Sequence, residues 1–330
     1  MPALSADSVQ ISVIICTRNR AEQLRQVLDS AAAMDVPPDL PWELLVIDNG
    51  SSDHTPEVIE SFAERLPIRR VSEPQAGLSN ARNRGVAEAR GSYICWTDDD
   101  VLIDLHWLSA YAEAFVRHPE VAYFGGPIDL VLEGPTPSWL EANRGLLGPM
   151  LAERQLGDKP ILFDPTVEIL PYGANYAVRA NEQHLHQYDP NLGVSPNQRR
   201  VGEETTLLAA LHRRGFKGLW VPEARVLHVI PAERQTLQSF FDLQRSIGES
   251  AAYLARRKSP DLLRRSMQLR SWEAGGAPLH LRCLMVGHLV RSHLLRLLGS
   301  HSWLPDWLKY GFYRGAIDFW RADSRRESSK

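Results

Sequence analysis

The sequence has little cysteine, and what it has is scattered. Cys16, Cys95 and Cys283 are odd in number, far apart and without metal-ligand spacing. A disulfide framework is therefore not expected. Two of the three fall in strand-like runs, where buried free thiols suit a reducing cytosol. Long apolar runs are missing as well. The best stretch, from Leu279 to Leu298, is broken by Arg282, His288, Arg291, His293 and Arg296, so no bilayer span is expected. The opening "MPALSADSVQ" lacks the basic-then-apolar pattern of a secretory signal. Internal repeats and low-complexity tracts are absent too.

What is present is an ordinary globular composition, 44% hydrophobic and 23% charged over 330 residues, enough chain for a full core. The net charge of −3 is unevenly spread. From Thr236 onward 16 Lys and Arg stand against 8 Asp and Glu, which leaves the preceding part at −11. An acidic body with a basic tail suggests an anionic surface or partner for the tail. Nucleic acid is not among the expected partners.

Apolar runs and helical patterns alternate along the first part of the chain. "ISVIIC", "WELLVID", "IRRVSE" and "SYICWT" read as short buried strands. Between them, "RAEQLRQVLDSAAAM" has helical spacing at Leu24, Val27 and Leu28. "TPEVIESFAERL" reads as a helix with Thr55 as N-cap and Pro56 at its first position, and "SNARNRGVAEARG" as one closed by Gly91. Such alternation implies a mostly parallel sheet flanked by helices, with ligands beyond the carboxyl ends of the strands. "TRN", "DNGSSD" and "TDDD" each fall at such an end. Further on, "YGANYAVRA" is strand-like, "GEETTLLAALHRRG" is a helix closed by Gly215, and "LWVPEARVLHVIP" reads as one more strand.

Three consecutive aspartates at a strand end invite two readings, a solvated acidic turn or a cation site. In an extended segment Asp98 and Asp100 share a side while Asp99 points the other way. Two hard oxygen donors on one side suit Mg²⁺ or Mn²⁺, which favour carboxylates together with substrate phosphates.

The ordered set "CTRNRAEQL", "LLVIDNGSSDHT", "GLSNARNRG", "DDD", "YGANYAVR" and "GEETTL" resembles the family-2 glycosyltransferases of GT-A fold over roughly residues 10–230. The resemblance implies an α/β GT-A catalytic domain over 10–235, with a donor half to about 127 and an acceptor half from about 128. Outside it stand a disordered N-terminus (1–9), a helical, basic and aromatic extension (236–322) and a frayed tail (323–330). It also implies an inverting transfer of a sugar from a nucleotide diphosphate, a UDP-sugar, to a glycan or lipid-linked acceptor in polysaccharide biosynthesis, with Mn²⁺ or Mg²⁺ on the diphosphate.

Carried over position by position, the resemblance places Thr17, Arg18 and Asn19 along the nucleotide pocket and Asp48 on the base. Asn49 stands where an acid is common in the family. Arg82 would approach the donor. Asp98 would contact the ribose–metal region, Asp99 would lie in the same donor-binding segment, and Asp100 and His228 would ligate the metal beside Asp98. Gly173, Ala174 and Asn175 would form the loop that lets backbone and a side-chain amide approach the donor sugar. "GEETTL" resembles an acidic pair at a helix start, with Glu204 as the base and Glu203 as its neighbour. Helical spacing places Glu204 on the apolar face with Leu207, Leu208 and Leu211, and Glu203 with Thr206 and Ala210.

Two other classes bear on the same residues. A sugar-phosphate nucleotidylyltransferase would need a glycine-rich loop after the first strand, and "CTRNRAEQL" has no glycine. A non-catalytic GT-A-fold subunit would not need Asp98, Asp100 and Glu204 intact. The tail, with Trp303, Trp307, Phe312, Tyr313 and Trp320 among basic residues, is expected either to rest on an anionic membrane surface or to pack on the catalytic domain or a second subunit. The expected location is the cytoplasm, peripheral to the inner face of its membrane.

Overall fold

The computed structural model describes residues 10–164, 170–196, 198–257, 279–300 and 302–328. The N-terminal stretch expected to be disordered, 1–9, lies outside the described residues. The chain divides into two compact units, one ending at Pro231 and the other built from Gln198–Gly202 and the residues from Ala232 on.

In the larger unit, strands and helices alternate as β1 (Ile11–Thr17), α1 (Ala21–Ala32), β2 (Trp42–Asp48), α2 (Thr55–Glu60), β3 (Ile68–Ser72), α3 (Leu78–Glu88) and β4 (Tyr93–Asp98). Then come β5 (Val101–Ile103), α4 (Trp107–Arg117), β6 (Val121–Gly125), β7 (Ile128–Leu132), and the short helices α5 (Ser138–Ala142) and α6 (Arg144–Leu147). The rest of the unit is β8 (Asn175–Arg179), α7 (Ala180–Gln183), the two-residue β9 (Val194–Ser195), α8 (Glu203–Arg213), β11 (Lys217–Trp220) and β12 (Val226–Ile230); β10 (Gln198–Arg199) falls in the smaller unit.

Among the described residues seven strands form the main sheet, in the order β11-β6-β8-β4-β1-β2-β3. All its pairings are parallel except those of β8, which runs antiparallel to β4 and β6. β1 and β2 are buried on both faces because helices cover both sides. Each fully buried Ile or Leu there contributes roughly 1.5–3 kcal/mol through the apolar surface it removes from water. β1, β2 and β4 end in register, Thr17 opposite Asp48 and Cys16 opposite Asp98, so three polar loops emerge from one sheet edge. A second sheet, β5-β12-β7, sits next in the chain to that edge.

Several local expectations need correction. "LWVPEARVLHVIP" is not one strand: Pro222 and the turn after it split it into β11 and β12, which belong to different sheets. The residue before α2 is His54, not Thr55. Its first turn is capped by Asp53, whose Oδ1 accepts from the Thr55 N–H at 3.2 Å and from the Thr55 hydroxyl at 2.6 Å. Gly91 does not close α3, which ends at Glu88. Instead it passes so close to β1 that a Cβ there would lie 2.5 Å from the Ser12 nitrogen.

The smaller unit is helical: α9 (Leu237–Arg256), α10 (Leu279–Leu297) and α11 (Trp303–Ser328). Thr236 caps α9 by accepting from the Ser239 N–H at 3.1 Å. Gly248 on α9 and Gly315 on α11 let the two backbones touch; a Cβ on either would lie within 2 Å of a carbonyl oxygen of the other helix. Phe312, Phe319 and Trp320 are buried in this packing, while Trp303, Trp307 and Tyr313 are half-buried. The stretch expected to fray from residue 323 is helical as far as Ser328. Among the described residues no helix is long and apolar enough to cross a membrane.

Candidate active site

The β1–α1 loop is tied to the β2–α2 loop by its own side chains. Asn19 takes a left-handed backbone (φ 52°), its N–H donates to Ser51 Oγ at 3.0 Å, and its Oδ1 accepts from the Ser52 N–H at 2.7 Å. The Arg18 guanidinium donates to the Asn49 carbonyl. Asp48 is buried and accepts from Arg70 (2.7 and 3.1 Å) and from the Ser51 N–H (2.8 Å). Burial raises its pKa, but these hydrogen bonds outweigh it and hold the carboxyl below its usual range. Thr17, Arg18, Asn19 and Asp48 therefore converge as expected of one loop cluster, with Arg70 as a partner the sequence reading did not single out.

The three aspartates do not alternate. β4 ends at Asp98, and Asp99 and Asp100 form the turn into β5, so the rule that residues two apart share a side does not reach them. Asp99 does not face away: its Oδ2 accepts from Thr17 Oγ1 at 2.8 Å and its Oδ1 from Arg20 at 2.6 Å. The same Arg20 nitrogen donates to Asp100 Oδ2 at 3.0 Å. Burial, aided by the charge on Asp100, pushes Asp99 up to about 6 against the pull of Arg20. Arg20 was missed as a site residue. Its signal was a second arginine two positions after Arg18, at the same strand end.

The small sheet delivers the histidine. β12 pairs antiparallel with β5, placing His228 opposite Val101, and the Val229 N–H donates to the Asp100 carbonyl at 2.9 Å. His228 is buried. Its Nδ1 donates to the Leu151 carbonyl at 2.8 Å, which turns Nε2 toward Asp100 Oδ1 at 3.4 Å. Among the described residues no three His, Cys, Asp or Glu side chains form a complete metal cage. The Asp100–His228 pair nevertheless fits a divalent cation that takes its other ligands from a diphosphate and water.

Opposite stands a buried charge cluster. Arg82 on α3 is no solvated helix charge. It donates to Glu203 Oε1 at 2.6 Å, lies 3.5 Å from Asp98 Oδ1 and 4.0 Å from Glu204 Oε2, and has its guanidinium 5.7 Å from the Tyr188 ring. The helical-face expectation for α8 is overturned. Glu203 is the buried member, while Glu204, one position further round the helix and still beside Leu208 and Leu211, is partly open. The wheel failed because the inward face at the first turn is set by the buried Arg82, not by leucines alone. Burial and the neighbouring Glu204 push Glu203 up to about 7 despite Arg82. Gly173 lies against this cluster; a Cβ there would be 3.1 Å from Arg82 Nη2 and 3.4 Å from the Glu204 carboxyl carbon.

Asn175 does not present its amide to a ligand. It is fully buried, its Oδ1 accepts from Trp107 Nε1 (2.9 Å) and Tyr111 OH (2.7 Å), and its Nδ2 donates to the carbonyls of Pro127 (2.9 Å) and Ala224 (2.7 Å). That is its full hydrogen-bonding capacity. Ala174 is buried as well, its carbonyl accepting from Thr97 Oγ1 at 3.1 Å. Of the expected loop, Gly173 alone borders the charge cluster. Cys16 is only half-buried, yet desolvation pushes its thiol up to about 12, so it stays protonated.

The sequence profile of glycosyl transferase family 2 matches residues 12–164, the span that holds the three strand-end loops and the aspartates. Those residues belong to glycosyl transferase family 2. Over 70% of this chain and 70% of its own length, the succinoglycan biosynthesis protein ExoM of Rhizobium meliloti (strain 1021) is 25% identical. A poly-beta-1,6-N-acetyl-D-glucosamine synthase of Staphylococcus epidermidis is 30% identical over 36% of this chain, a match that spans only 28% of that protein. Among solved structures, the mannosyltransferase PcManGT from Pyrobaculum calidifontis, in complex with GDP-Man and Mn²⁺, superposes with a TM-score of 0.61 at 16% identity, covering 96% of this chain and 88% of that one. S. aureus TarS 1-349 in complex with UDP-GlcNAc gives 0.56 at 14% identity, covering 97% and 92%. At these identities the structures establish the fold, a GT-A fold with a helical C-terminal region.

Proposed function

We propose that the protein is a metal-dependent, inverting glycosyltransferase that moves a sugar from a nucleotide diphosphate, a UDP-sugar, to a hydroxyl of a glycan or lipid-linked acceptor in polysaccharide biosynthesis. The catalytic domain is taken as residues 10–235, with a donor half to about 127 and an acceptor half from 128. The observation that carries the reading is the reach of one guanidinium. Arg82 holds Asp98, at the end of the donor-side strand, within 3.5 Å, and Glu203 and Glu204, at the start of α8, within 2.6 and 4.0 Å. The two halves of a transfer site thus share one buried cation.

Thr17, Arg18, Asn19 and Asp48 line the nucleotide side, with Asp98 and Asp99 at the ribose end. Asp100 and His228 would hold the divalent cation, Mn²⁺ or Mg²⁺, which supplies charge neutralisation for the departing diphosphate. Glu204, the partly open member of its pair, takes the proton from the acceptor hydroxyl as that oxygen attacks the anomeric carbon. Glu203 stays on Arg82 and fixes the start of α8. A single displacement of this kind inverts the anomeric configuration. The relatives' named roles in succinoglycan and poly-N-acetylglucosamine synthesis support a polysaccharide product.

The experiment is turnover of a panel of nucleotide sugars by the purified protein, with and without Mn²⁺. Metal-dependent turnover of a UDP-sugar is expected. Failure to bind or turn over any nucleotide sugar overturns the reading, and a product of retained configuration overturns the single displacement.

A further inference from the structure

Helix α10 carries an apolar row that the described residues do not cover. Leu279 is 74% exposed, Val286 and Val290 51% each, and Leu297 83%, and Leu294 is exposed between them. Their spacing of three, four and seven puts them along one side of the helix. α10 contains Arg282, Arg291 and Arg296 and no acidic residue. Beside this row, where α10 meets α11, lies a cavity of about 340 Å³ lined by Leu289, Ser292, Arg296, Trp303, Trp307 and Tyr310 among others. The Arg296 guanidinium stands 5.2 Å over the Trp303 ring. The Trp307 indole N–H is buried with no acceptor among the described residues. A buried donor left without a partner costs about 1–3 kcal/mol, so this one is suited to an incoming acceptor.

We propose that α10 rests on an anionic lipid surface, its apolar row sunk into the acyl boundary and the cavity seating a headgroup phosphate against Arg296 and the Trp307 N–H. Charge selects this occupant. Arg291 already pairs with Asp306 of α11 at 3.2 Å, but two copies packed row to row would bring Arg282 and Arg296 of both helices together with no acid on either α10 to compensate. A surface of phosphates supplies countercharge to both. The geometry is that of a helix lying in the interface. The inserting groups are aliphatic residues of α10. Of the aromatics that composition singles out, Phe312 and Trp320 do not take this part, since they are buried in the packing of α9 and α11.

The test is partition of the protein onto vesicles of phosphatidylglycerol and phosphatidylcholine, against vesicles of phosphatidylcholine alone. The protein is expected to bind the anionic vesicles and not the neutral ones. The double variant Val286→Glu/Val290→Glu, which alters exposed positions, should lose binding by more than about ten-fold, with an unchanged melting temperature. Arg296→Gln should weaken it about five-fold, and Trp307→Phe should lower the preference for anionic over neutral lipid. Equal partition onto both vesicle types overturns the proposal, as does wild-type binding by the double variant or by Arg296→Gln. A dimer that the double variant converts to monomer, with no vesicle binding by the parent protein, overturns it in favour of a second copy. Turnover of a soluble nucleotide sugar is read separately, so failure here is distinct from failure of the proposed activity.

Discussion

The Arg82 guanidinium and the Glu203 carboxylate meet at 2.6 Å, both buried, across 121 residues of chain. This contact joins α3 to the start of α8 and places Glu204 beside Asp98. Removing one partner of a buried ion pair strands the other, at a cost of about 3–5 kcal/mol. Arg82→Gln should therefore destabilise the protein by that amount in chemical denaturation, and Arg82→Gln/Glu203→Gln should recover part of the loss. A single-variant loss below about 1 kcal/mol would show that the cluster is solvated after all.

Protonation of Glu203 makes a second, signed expectation. Its carboxyl is raised from 4.5 to about 7, chiefly by burial. A carboxyl whose folded pKa lies above its unfolded value favours folding fully below the unfolded value. That contribution is lost as pH rises toward the folded one. The stability of the parent protein relative to Glu203→Gln should fall between about pH 4.5 and pH 7. A difference that is flat across this window removes the burial argument.

Catalysis separates the two glutamates. Glu204→Gln keeps shape and removes the proton acceptor, so nucleotide-sugar binding should persist while transfer drops about 10²–10⁴-fold. Glu203→Gln should act more on stability than on turnover. If instead Glu203→Gln loses transfer and Glu204→Gln keeps it, the assignment of the base is reversed.

The metal reading rests on Asp100 and His228, held 3.4 Å apart by the β5–β12 pairing. Asp100→Asn and His228→Gln should each abolish the gain in nucleotide affinity that Mn²⁺ gives the parent protein, measured by calorimetry with and without chelator. Affinity that ignores the metal in all three proteins removes the site.

The alternation of strands and helices, and the convergence of three strand-end loops, were legible because hydrophobic period and parallel topology are local and additive. The C-terminal edge of β1, β2 and β4 follows from them directly. Side-chain direction at those ends was not legible. Asp99 and Asp100 both reach Arg20 because the strand stops at Asp98, two residues earlier than an extended reading through Asp100 supposes. Glu203 points inward because a buried arginine from another helix is waiting for it. His228 reaches Asp100 only through the split of "LWVPEARVLHVIP" into strands of two sheets, which a continuous apolar pattern hides. Asn175 looked like a ligand-facing amide in the motif, yet its four partners come from α4 and from backbone near residues 127 and 224, contacts that no local window contains.

Asn49 offers the most local test of how this chain departs from its family's motif, where an acid is common. Its Nδ2 donates to the carbonyls of Glu73 (2.9 Å) and Gln75 (2.8 Å), and its Oδ1 accepts from the Gly77 N–H (2.8 Å). The side chain clamps the connection from β3 to α3, where the amide donates twice and accepts once, more than a carboxyl can do in either protonation state. Asn49→Asp is isosteric, so no cavity forms and packing is preserved. It deletes both donors and sets a charge against two carbonyls, which should cost roughly 2–4 kcal/mol. Protonating the new carboxyl restores one donor, so the deficit should shrink as pH falls. A variant as stable as the parent at neutral pH, or a deficit that does not change with pH, would mean that the amide is not the clamp.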